Sequence, residues 1–423
     1  MIQINTIREK SEFVIERLAV KNFDAKHIVA DILEIDETKR KVQNELDQLL
    51  FQQNTLAKQV GDLYKSGKKA EGDELKNMST ALKQSSNSLQ EQLNHLESKL
   101  ESELVKLPNI PSASVPKGRT PEENEVVFQE GAIPDLHDKA VPHWELTTKY
   151  DIIDFELGVK LTGAGFPVYK GKGARLQRAL INFFLDKAVE AGYKEIQPPI
   201  LINKESGFGT GQLPDKDSQM YNVTLDEFYL IPTAEVPVTN MYRDVISKAE
   251  ELPIKMCAYT PCFRREAGSY GKDVRGLNRL HQFDKVEIVQ LERPENSYQA
   301  LDQMVEHVKG LLRSLQLPFR ILRLCGGDMS FASALTFDFE VYSAAQKKWL
   351  EVSSVSNFET FQANRMKYRY REGSEKPQLA HTLNGSALAL PRIVAALLEN
   401  NQTLDGVIIP DALRNYTGFD KIN

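Results

Sequence analysis

Apolar residues in the N-terminal quarter of the chain recur with the spacing of a coiled coil. They are separated by three, four or seven residues from Ile28 to Leu63, and again from Leu75 to Leu104. Such a heptad seam predicts two long helices that pack through their apolar faces. Glycines between the two series predict the helix ends and the turn: Gly61, Gly67 and Gly72. The sequence therefore predicts an antiparallel two-helix coiled-coil arm over about residues 28–105, with about 36 residues per helix and a length of about 50–55 Å.

Beyond the hairpin, prolines interrupt the helical pattern. They follow at short intervals and disfavour helix: Pro108, Pro111, Pro116 and Pro121. We interpret residues 111–146 as a linker. It would join an N-terminal domain, residues 1–110, to a larger domain, residues 147–423.

The larger domain mixes both periodicities. Helical spacing marks four stretches, at residues 174–192, 235–249, 297–315 and 388–400. Strand-like runs occur as FYLIP, MCAYTPCFRRE, LHQFDKVEIVQL, LTFDFEVYS and KKWLEVSSVS. Because these strands follow one another without regular βα alternation, the expected fold is α+β, with an antiparallel sheet flanked by helices.

Composition narrows the classes of function. The chain has 423 residues and a formal net charge of −6, so any RNA contact would need a local basic patch. The hairpin offers such a patch at its turn, with Lys65, Lys68 and Lys69. The three cysteines fit no disulfide framework, so we expect buried thiols and no structural zinc. Without a secretory signal or a bilayer-spanning stretch, the expected location is cytoplasmic, with no membrane contact.

The segment FRREAGSYGKDVRGLNRLHQF, residues 263–283, carries the most chemistry. With Glu287, which follows shortly after it, the segment carries seven candidate side chains. They are Arg264 and Glu266 on a first strand-like run, Lys272 and Arg275 in a loop, and Arg279, Phe283 and Glu287 on a second run. A side-chain period of two places the residues of each run on one face. Arginines suit phosphates, an aromatic ring suits a base, and a carboxylate suits an amine, so this surface could hold a nucleotide.

This segment resembles motif 2 of class II aminoacyl-tRNA synthetases, in the form found in seryl-tRNA synthetases. Four more segments extend the resemblance over nearly the whole chain. They are GYKEIQPP at 192–199 (motif 1), GFGTGQLP at 207–214 (a loop near the amino-acid pocket), Thr-Ala-Glu at 233–235 and NGSALALPR at 384–392 (motif 3). Each is weak evidence alone, and their order along the chain makes the resemblance specific.

The resemblance implies an enzyme that activates L-serine with ATP and transfers it to the 3′ end of tRNA(Ser). It leaves tRNA(Sec) open as a second acceptor. It also implies a homodimer with motif 1 at the interface, and a helical arm that binds tRNA(Ser). ATP implies Mg²⁺, for which Glu351 and Ser354 are the expected ligands. These two have opposite strand parity, so a bulge or a backbone turn must lie between them if both face the nucleotide.

The resemblance also assigns expected roles to individual residues. The ATP-binding set is Arg264, Arg265, Glu266, Arg275, Arg279, Leu280, Phe283, Glu351, Val352, Ser353, Ser354 and Arg392. The serine-binding set is Thr233, Ala234, Glu235, Glu287 and Ser386. Catalytic contributions are expected from Arg264, Glu266 and Arg392. Among these, Glu287 would hold the serine ammonium group and Phe283 would stack on adenine.

Two other functions compete with this one. A synthetase-like ligase that loads serine onto a carrier protein would be expected to lack the long hairpin. A non-catalytic RNA-binding paralogue would be expected to lose Arg264, Glu287 or Arg392. The chain has the hairpin pattern and all three residues, so the sequence favours the synthetase.

Overall fold

The computed structural model describes residues 1–215, 218–267 and 275–423. Lys272, predicted in the basic loop, lies outside the described residues. The chain folds into two compact units. One comprises Met1–Ala19 and Phe23–Pro108, and the other comprises Val20–Asn22 and Asn109–Asn423.

The N-terminal helices contain the predicted hairpin. They are α1 (Ile4–Glu9), α2 (Ser11–Val20), α3 (Lys26–Lys65) and α4 (Lys69–Leu104). Between α3 and α4, Lys39 Nζ lies 2.9 Å from Glu97 Oε1, and Gln53 Nε2 donates to Ser86 Oγ at 3.0 Å. The residue numbers of the contacting side chains increase along α3 while those of their partners decrease along α4, so the two helices are antiparallel. Their 40 and 36 residues correspond to about 60 and 54 Å.

The turn between these helices is shorter than the glycines predict. Only residues 66–68 separate α3 from α4, and Gly67 has a φ of 78° there. Gly61 lies inside α3 and Gly72 inside α4, so the helix breaks predicted at these two glycines are wrong. A glycine in a helix costs only about 1 kcal/mol relative to alanine, which the packing of two long helices outweighs. A Cβ at Gly72 would lie 3.3 Å from the Tyr64 ring, so the close approach favours glycine.

The second unit is built on one large sheet. Its strands are β1 (Glu125–Glu130), β2 (Ile153–Asp154), β3 (Val168–Tyr169), β4 (Lys194–Glu195), β5 (Leu201–Ile202), β6 (Asn222–Val223), β7 (Phe228–Leu230), β8 (Ile246–Lys248), β9 (Ile254–Phe263), β10 (Gln282–Glu292), β11 (Phe319–Arg323), β12 (Leu335–Ser343), β13 (Lys348–Asn357), β14 (Arg369–Arg371), β15 (Gln378–Leu379), β16 (His381–Ala389), β17 (Gln402–Thr403), β18 (Gly406–Ile408) and β19 (Lys421–Ile422). Within the described residues, eight of them pair in the order β1-β11-β12-β13-β16-β10-β9-β4. Neighbours are antiparallel except β4 and β9, which are parallel. The predicted α+β fold is confirmed.

Helices pack on both faces of this sheet. The helices of the second unit are α5 (His143–Lys149), α6 (Phe155–Leu161), α7 (Gly171–Glu190), α8 (Lys204–Thr210), α9 (Glu235–Asn240), α10 (Ser297–Ser314), α11 (Thr360–Met366), α12 (Leu390–Asn400) and α13 (Asp411–Thr417). Leu180 of α7, Leu301 of α10 and Ile393 of α12 are fully buried in one core. Val286 and Ile288 of β10 belong to the same core. The opposite face of β10 carries Val289 and Leu291, which belong to a second apolar cluster with residues of α9 and α11.

Two stretches of the second unit differ from their predicted structure. The helix predicted at residues 235–249 ends at Asn240, and β8 follows, in parallel pairing with β14. That partner lies far along the chain, so local periodicity cannot reveal it. The predicted linker contains β1, which pairs with β11 at the edge of the main sheet. In the part of the chain that the structure describes, no helix is long and apolar enough to cross a bilayer.

Candidate active site

Alternation along β10 separates the core from a polar surface. Val286 and Ile288 face the core, so Lys285 and Glu287 face the other side. Phe283 shares their parity, and its partly buried ring also packs against the core. Arg279 was expected on this face, but β10 begins at Gln282. The expectation is therefore wrong for Arg279, which lies in the segment before the strand.

Lys285 and Glu287 form a buried ion pair at the centre of this face. Lys285 Nζ lies 2.6 Å from Glu287 Oε2 and donates to Thr233 Oγ1 at 2.8 Å. Ser386 lies directly opposite Glu287 in the pairing of β10 with β16, and its hydroxyl donates to Glu287 Oε2 at 3.4 Å. The lysine and the glutamate are only 5% and 2% exposed. Sheet register thus places Ser386 beside Glu287, and Lys285 connects Glu287 to Thr233, so three of the predicted serine-binding residues meet.

A second buried carboxylate, Glu235, begins α9 in the same region. Its Oε1 accepts a hydrogen bond from Gln362 Nε2 at 2.7 Å, and Gln362 Oε1 accepts from Thr382 Oγ1 at 2.6 Å. Burial, and then the negative charge of Glu287, raises the pKa of Glu235 to about 7. Ala234, beside it, is fully buried in the apolar cluster that also holds Val289.

The charges of Glu235, Lys285 and Glu287 do not balance when Glu235 is ionised. The two glutamates then supply two negative charges, and the lysine supplies one positive charge. An unpaired buried charge is costly, so the pocket suits a ligand that brings a cationic group. The hydroxyls of Thr233 and Ser386 add hydrogen-bonding partners at the same place. A small molecule with an ammonium group and a further polar group matches this arrangement.

Arg264 lies between this pocket and an aromatic ring. Its backbone N–H donates to His281 O at 2.9 Å, and His281 Nδ1 lies 3.0 Å from Arg264 O. The side-chain Nε donates to Pro232 O at 3.4 Å, next to Thr233. The guanidinium carbon lies 5.3 Å from the centroid of the Phe283 ring. A guanidinium in this position can hold an anionic group between the buried pocket and the aromatic ring.

Glu266 departs from the predicted strand geometry. β9 ends at Phe263, and Glu266 has a left-handed φ of 49°. The prediction that Arg264 and Glu266 share a strand face is therefore wrong. Glu266 instead forms an ion pair with Arg279, so these two side chains connect the described residues on either side of positions 268–274.

Other residues predicted to bind ATP occupy different surroundings. Arg275 is exposed, and its guanidinium lies 4.7 Å from the centroid of the Trp144 ring. Arg265 is also exposed, and its backbone N–H donates to Gln219 O at 2.8 Å. The side chains of Leu280 and Val352 are buried in the main core. Any contact of these two with a nucleotide would have to come from the backbone.

Arg392 reaches from α12 to two segments at the edge of this surface. Its Nε donates to Asn278 O at 3.0 Å, and its Nη1 donates to Glu351 O at 2.7 Å. The Glu351 carboxylate lies 3.8 Å from the same nitrogen. Ser353 donates its hydroxyl to Ser386 O at 2.6 Å and so connects β13 to the pocket.

A β-bulge brings Glu351 and Ser354 to one face. Val352 is the extra residue, because Glu351 lies opposite Glu340 while Ser354 lies opposite Asp338. Glu340 and Asp338 are two positions apart on β12, so all four residues share a face. Of the two alternatives that strand parity allowed, a bulge or a backbone turn, the structure has the bulge.

The oxygen atoms on this face fit a nucleotide-bound Mg²⁺. No group of three or more His, Cys, Asp or Glu side chains placed to hold a metal occurs among residues 1–215, 218–267 and 275–423. Mg²⁺ needs fewer when phosphates and water complete its shell. Burial, and then the charge of Glu351, raises the pKa of Asp338, and a cation beside Glu351 would relieve that repulsion. The three cysteine thiols are free and buried.

Two site residues were missed by sequence reasoning. Lys285 carried a usable signal, because it shares the parity of Phe283 and Glu287 and interrupts an apolar strand. Gln362 carried no signal in the sequence, because its role depends on how α11 packs beside α8 and α9. Its Nε2 donates to Thr210 O at 3.1 Å and also to Glu235.

Comparison with known proteins finds relatives along the whole chain. Residues 1–111 match the Seryl-tRNA synthetase N-terminal domain family, and residues 221–401 match the tRNA synthetase class II core domain family (G, H, P, S and T). The serine–tRNA ligase of Salinibacter ruber (strain DSM 13855 / M31) is 53% identical over 424 residues, covering 100% of this chain and 99% of that protein. The serine–tRNA ligase of Methylacidiphilum infernorum (isolate V4) is 46% identical, covering 98% of this chain and 99% of that protein.

Solved structures show the same similarity. The crystal structure of seryl-tRNA synthetase from Pyrococcus horikoshii complexed with ATP has a TM-score of 0.92 and 32% identity, covering 100% of this chain and 99% of that one. The cytoplasmic serine–tRNA ligase from Naegleria fowleri in complex with AMP has a TM-score of 0.88 and 25% identity, covering 100% and 99%.

Proposed function

The chain belongs to the seryl-tRNA synthetase family, and we propose that it activates L-serine with ATP and transfers the seryl group to the 3′ end of tRNA(Ser). The acceptor tRNA(Sec) is included in this proposal. The observation that carries it is the buried pocket of Glu235, Lys285 and Glu287, which has one carboxylate in excess and lies beside Arg264. An amino acid brings the ammonium group that such a pocket needs and a carboxylate for the arginine.

Serine fits this pocket by its hydrogen-bonding groups. Glu287, with Glu235, holds the ammonium group, and the hydroxyl bonds to Thr233 or Ser386. Alanine lacks the hydroxyl and would leave buried polar groups unpaired, so a site of this kind can reject it by about 10⁴–10⁵. Threonine keeps the hydroxyl and adds a methyl group, so it must be refused by size.

The nucleotide lies along the surface from Arg264 to Arg392. Arg264 holds the α-phosphate and the serine carboxylate together, and adenine stacks on Phe283. Glu266 accepts from the adenine amino group, and Arg275 and Arg392 hold the outer phosphates. Arg279 and the backbone near Leu280, Val352 and Ser353 complete the site, together with Arg265. This assignment requires Glu266 to exchange part of its contact with Arg279 for the base.

Neither chemical step needs a nucleophile from the protein. The serine carboxylate attacks the α-phosphorus of ATP, and the bond to the leaving pyrophosphate breaks. The terminal adenosine hydroxyl of tRNA then attacks the acyl carbon of seryl-adenylate, and AMP leaves. The protein therefore acts by positioning two anions and by stabilising the charge that develops between them. Mg²⁺ held by Glu351 and Ser354 would neutralise phosphate charge during the first step.

The helical hairpin supplies the contact with tRNA(Ser). A long, exposed pair of helices offers a surface that recognises the shape and backbone of RNA, as do the lysines at its turn. We also propose that the protein acts in the cytoplasm as a homodimer, with residues 192–199 at the interface.

Amino-acid-dependent exchange between ATP and pyrophosphate tests the catalytic part of this proposal. The assay is run without tRNA on each of the twenty amino acids. Exchange with serine alone is expected. Exchange with a different amino acid would overturn the serine assignment, and no exchange with any would favour the non-catalytic paralogue.

Charging assays test the acceptor. Transfer of serine to tRNA(Ser) transcripts is expected, and the same assay is run with tRNA(Sec). Serine-dependent exchange without tRNA charging would instead favour a ligase for a carrier protein.

A further inference from the structure

A buried polar cluster lies behind the proposed nucleotide surface and has no role in the chemistry described so far. Its centre is Glu399 of α12, which is fully buried. The carboxylate accepts hydrogen bonds from His143 N at 2.9 Å, from Gln346 Nε2 at 2.8 Å and from the Ser343 hydroxyl. His143 Nδ1 lies 2.7 Å from the same carboxylate.

The hydrogen bonds of His143 determine which of its ring nitrogens carries the proton. The backbone N–H of Leu277 can only donate, and it donates to His143 Nε2 at 2.8 Å. Nε2 must therefore be unprotonated, which leaves the proton on Nδ1 to be donated to Glu399. Although burial raises the pKa of Glu399, the hydrogen bonds from His143 and Ser343 hold it below its ordinary value. An ionised glutamate thus orients a neutral imidazole, as a carboxylate orients a metal-bound histidine.

The cluster fixes the segment at residues 275–281, which leads into β10. His143 accepts from Leu277, and Gln346 accepts from the Asn278 side chain at 3.0 Å. The carbonyl of Asn278 is the acceptor for Arg392 Nε. Residues proposed to bind ATP lie on either side of this short segment, at Arg275 and Arg279.

The amino acid at position 276 shows how close this contact is. Gly276 has a left-handed φ of 65°, and a Cβ there would lie 2.2 Å from His143 Nε2. A side chain would therefore displace the imidazole, so the glycine and the histidine depend on each other.

We propose that His143, oriented by Glu399, is a positioning residue that fixes residues 275–279 and Arg392 for ATP. This inference rests on the proposed function and adds a residue outside the ATP-binding set. One helix, α12, carries both Arg392 and Glu399, so one rigid element holds the arginine proposed to bind phosphate and, through His143, the segment at residues 275–279. The neighbouring Trp144, which lies against Arg275, extends the same support.

Two substitutions of His143 separate its two hydrogen bonds. In His143→Gln, the side-chain oxygen can reach the place of Nε2 and accept from Leu277. In His143→Asn, the amide nitrogen matches Nδ1 and can donate to Glu399, but nothing accepts from Leu277. The control is His307→Gln, a half-buried histidine on α10 away from the site.

Michaelis constants for ATP and serine in the exchange reaction are measured for all variants, with thermal melting as a check of folding. His143→Asn should raise the KM for ATP about tenfold, because a buried N–H loses its acceptor, and leave the KM for serine within about twofold. His143→Gln should stay within about threefold for both substrates, and the control should match the wild type. Parallel loss for both substrates, or an unchanged KM for ATP in His143→Asn, would overturn the proposal.

Two additions keep the test decisive. If His143→Asn does not fold, Gln346→Leu removes the bond to Asn278 instead and should raise the KM for ATP severalfold; an unchanged value would count against the proposal. Equilibrium binding of Mg-ATP without serine is measured as well. If the wild type shows no serine-dependent exchange, the proposed function fails, whereas the ranking of the variants in ATP affinity still decides the role of His143.

Discussion

The helical hairpin and the active-site pocket are built in opposite ways. The hairpin consists of two segments that are close in sequence, and its partners change regularly along α3 and α4. The pocket gathers residues from β10, β16, α9 and α11, which are separated by up to about a hundred and fifty positions. A repeated pattern of apolar residues in the sequence is therefore enough to predict the hairpin. The pocket forms only when the strands pair in the correct register.

The ion pairs of the two regions also differ in their burial. In the hairpin, Lys39 and Glu97 form an ion pair whose side chains are 29% and 50% exposed. Exposed pairs of this kind contribute about 0–1 kcal/mol. In the pocket, Lys285 and Glu287 are buried, and breaking a buried pair costs about 3–5 kcal/mol. Single substitutions should therefore have small effects in the hairpin and large ones in the pocket.

Shortening the hairpin should separate the two regions most completely. Removing residues 44–92 and closing the helices with a glycine–serine turn keeps the Lys39–Glu97 and Arg8–Asp36 pairs. We expect ATP–pyrophosphate exchange to stay within about twofold of the full chain. Charging of tRNA(Ser) should fall by about 10³-fold or more, since the specific RNA contacts are lost.

The matched control is a hairpin of full length with its surface unchanged and Gln53 replaced by leucine. That substitution alters the seam beside Ser86 but removes no exposed side chain, so both activities should persist. Full charging by the shortened protein would show that the hairpin is not the tRNA-binding element.

The next largest effect is expected from Glu287→Gln. The change leaves Lys285 without its carboxylate and removes the partner of the serine ammonium group. The KM for serine should rise about 10²-fold, as when one partner of a buried charge pair is removed, with the KM for ATP within about threefold. Exchange kinetics with each substrate varied in turn would measure both.

Glu292→Gln provides a control for this change. Glu292 is a buried glutamate at the far end of the same strand, bonded to Gln290, and it lies outside the proposed site. Similar losses for serine and ATP in Glu287→Gln would argue against a role of Glu287 in serine binding.

These differences explain how much of the fold the sequence could predict. For the helices with strong periodicity, α7, α10 and α12, both ends were predicted close to where they are observed, as were the start of α3 and the end of α4. The short β8 was predicted as helix, because its parallel pairing with β14 depends on a distant partner. The sequence predicts helix breaks at Gly61 and Gly72, because glycine has a low helix propensity. The packing between two long helices, which offsets that loss of stability, is not visible in the local sequence.

The same limits apply to the site. The predicted residues Thr233, Glu287 and Ser386 meet because motif order reflects the fold. Strand parity predicted a bulge or a backbone turn between Glu351 and Ser354, and the structure shows which of the two occurs. Gln362 and His143 could not be found in this way. Their partners, Glu235 and Leu277, are set by how helices pack, and no spacing along the chain records that.

Serine use should depend on pH through Glu235. Because burial and then the charge of Glu287 raise its pKa to about 7, the carboxylate is ionised only above this pH. The ionised form attracts the serine ammonium group, so affinity is present above about pH 7 and is lost as the pH falls. The kcat/KM for serine should decrease by about tenfold per pH unit below that point. Exchange measured from about pH 5.5 to 8.5 at saturating ATP would show it.

Gln362→Leu sharpens this prediction. Its amide hydrogen bond to Glu235 lowers the pKa of that carboxyl, so its loss should move the serine profile to higher pH. The KM for ATP serves as the internal control. A wild-type profile that stays flat down to about pH 5.5 would contradict an essential ionised Glu235.

The smallest effect is expected at the turn of the hairpin. Lys65, Lys68 and Lys69 are exposed, and Lys68 pairs only weakly with Glu71, at 3.2 Å between exposed side chains. Replacing all three with serine should raise the KM for tRNA(Ser) about three- to tenfold at low salt, and the salt dependence should become shallower because fewer phosphates are neutralised. Serine activation should not change. The hairpin would then act as a surface of many weak contacts, which is the opposite of the pocket, where one charge decides binding. If the triple substitution has no effect at any salt concentration, recognition lies along the sides of the helices instead of at their turn.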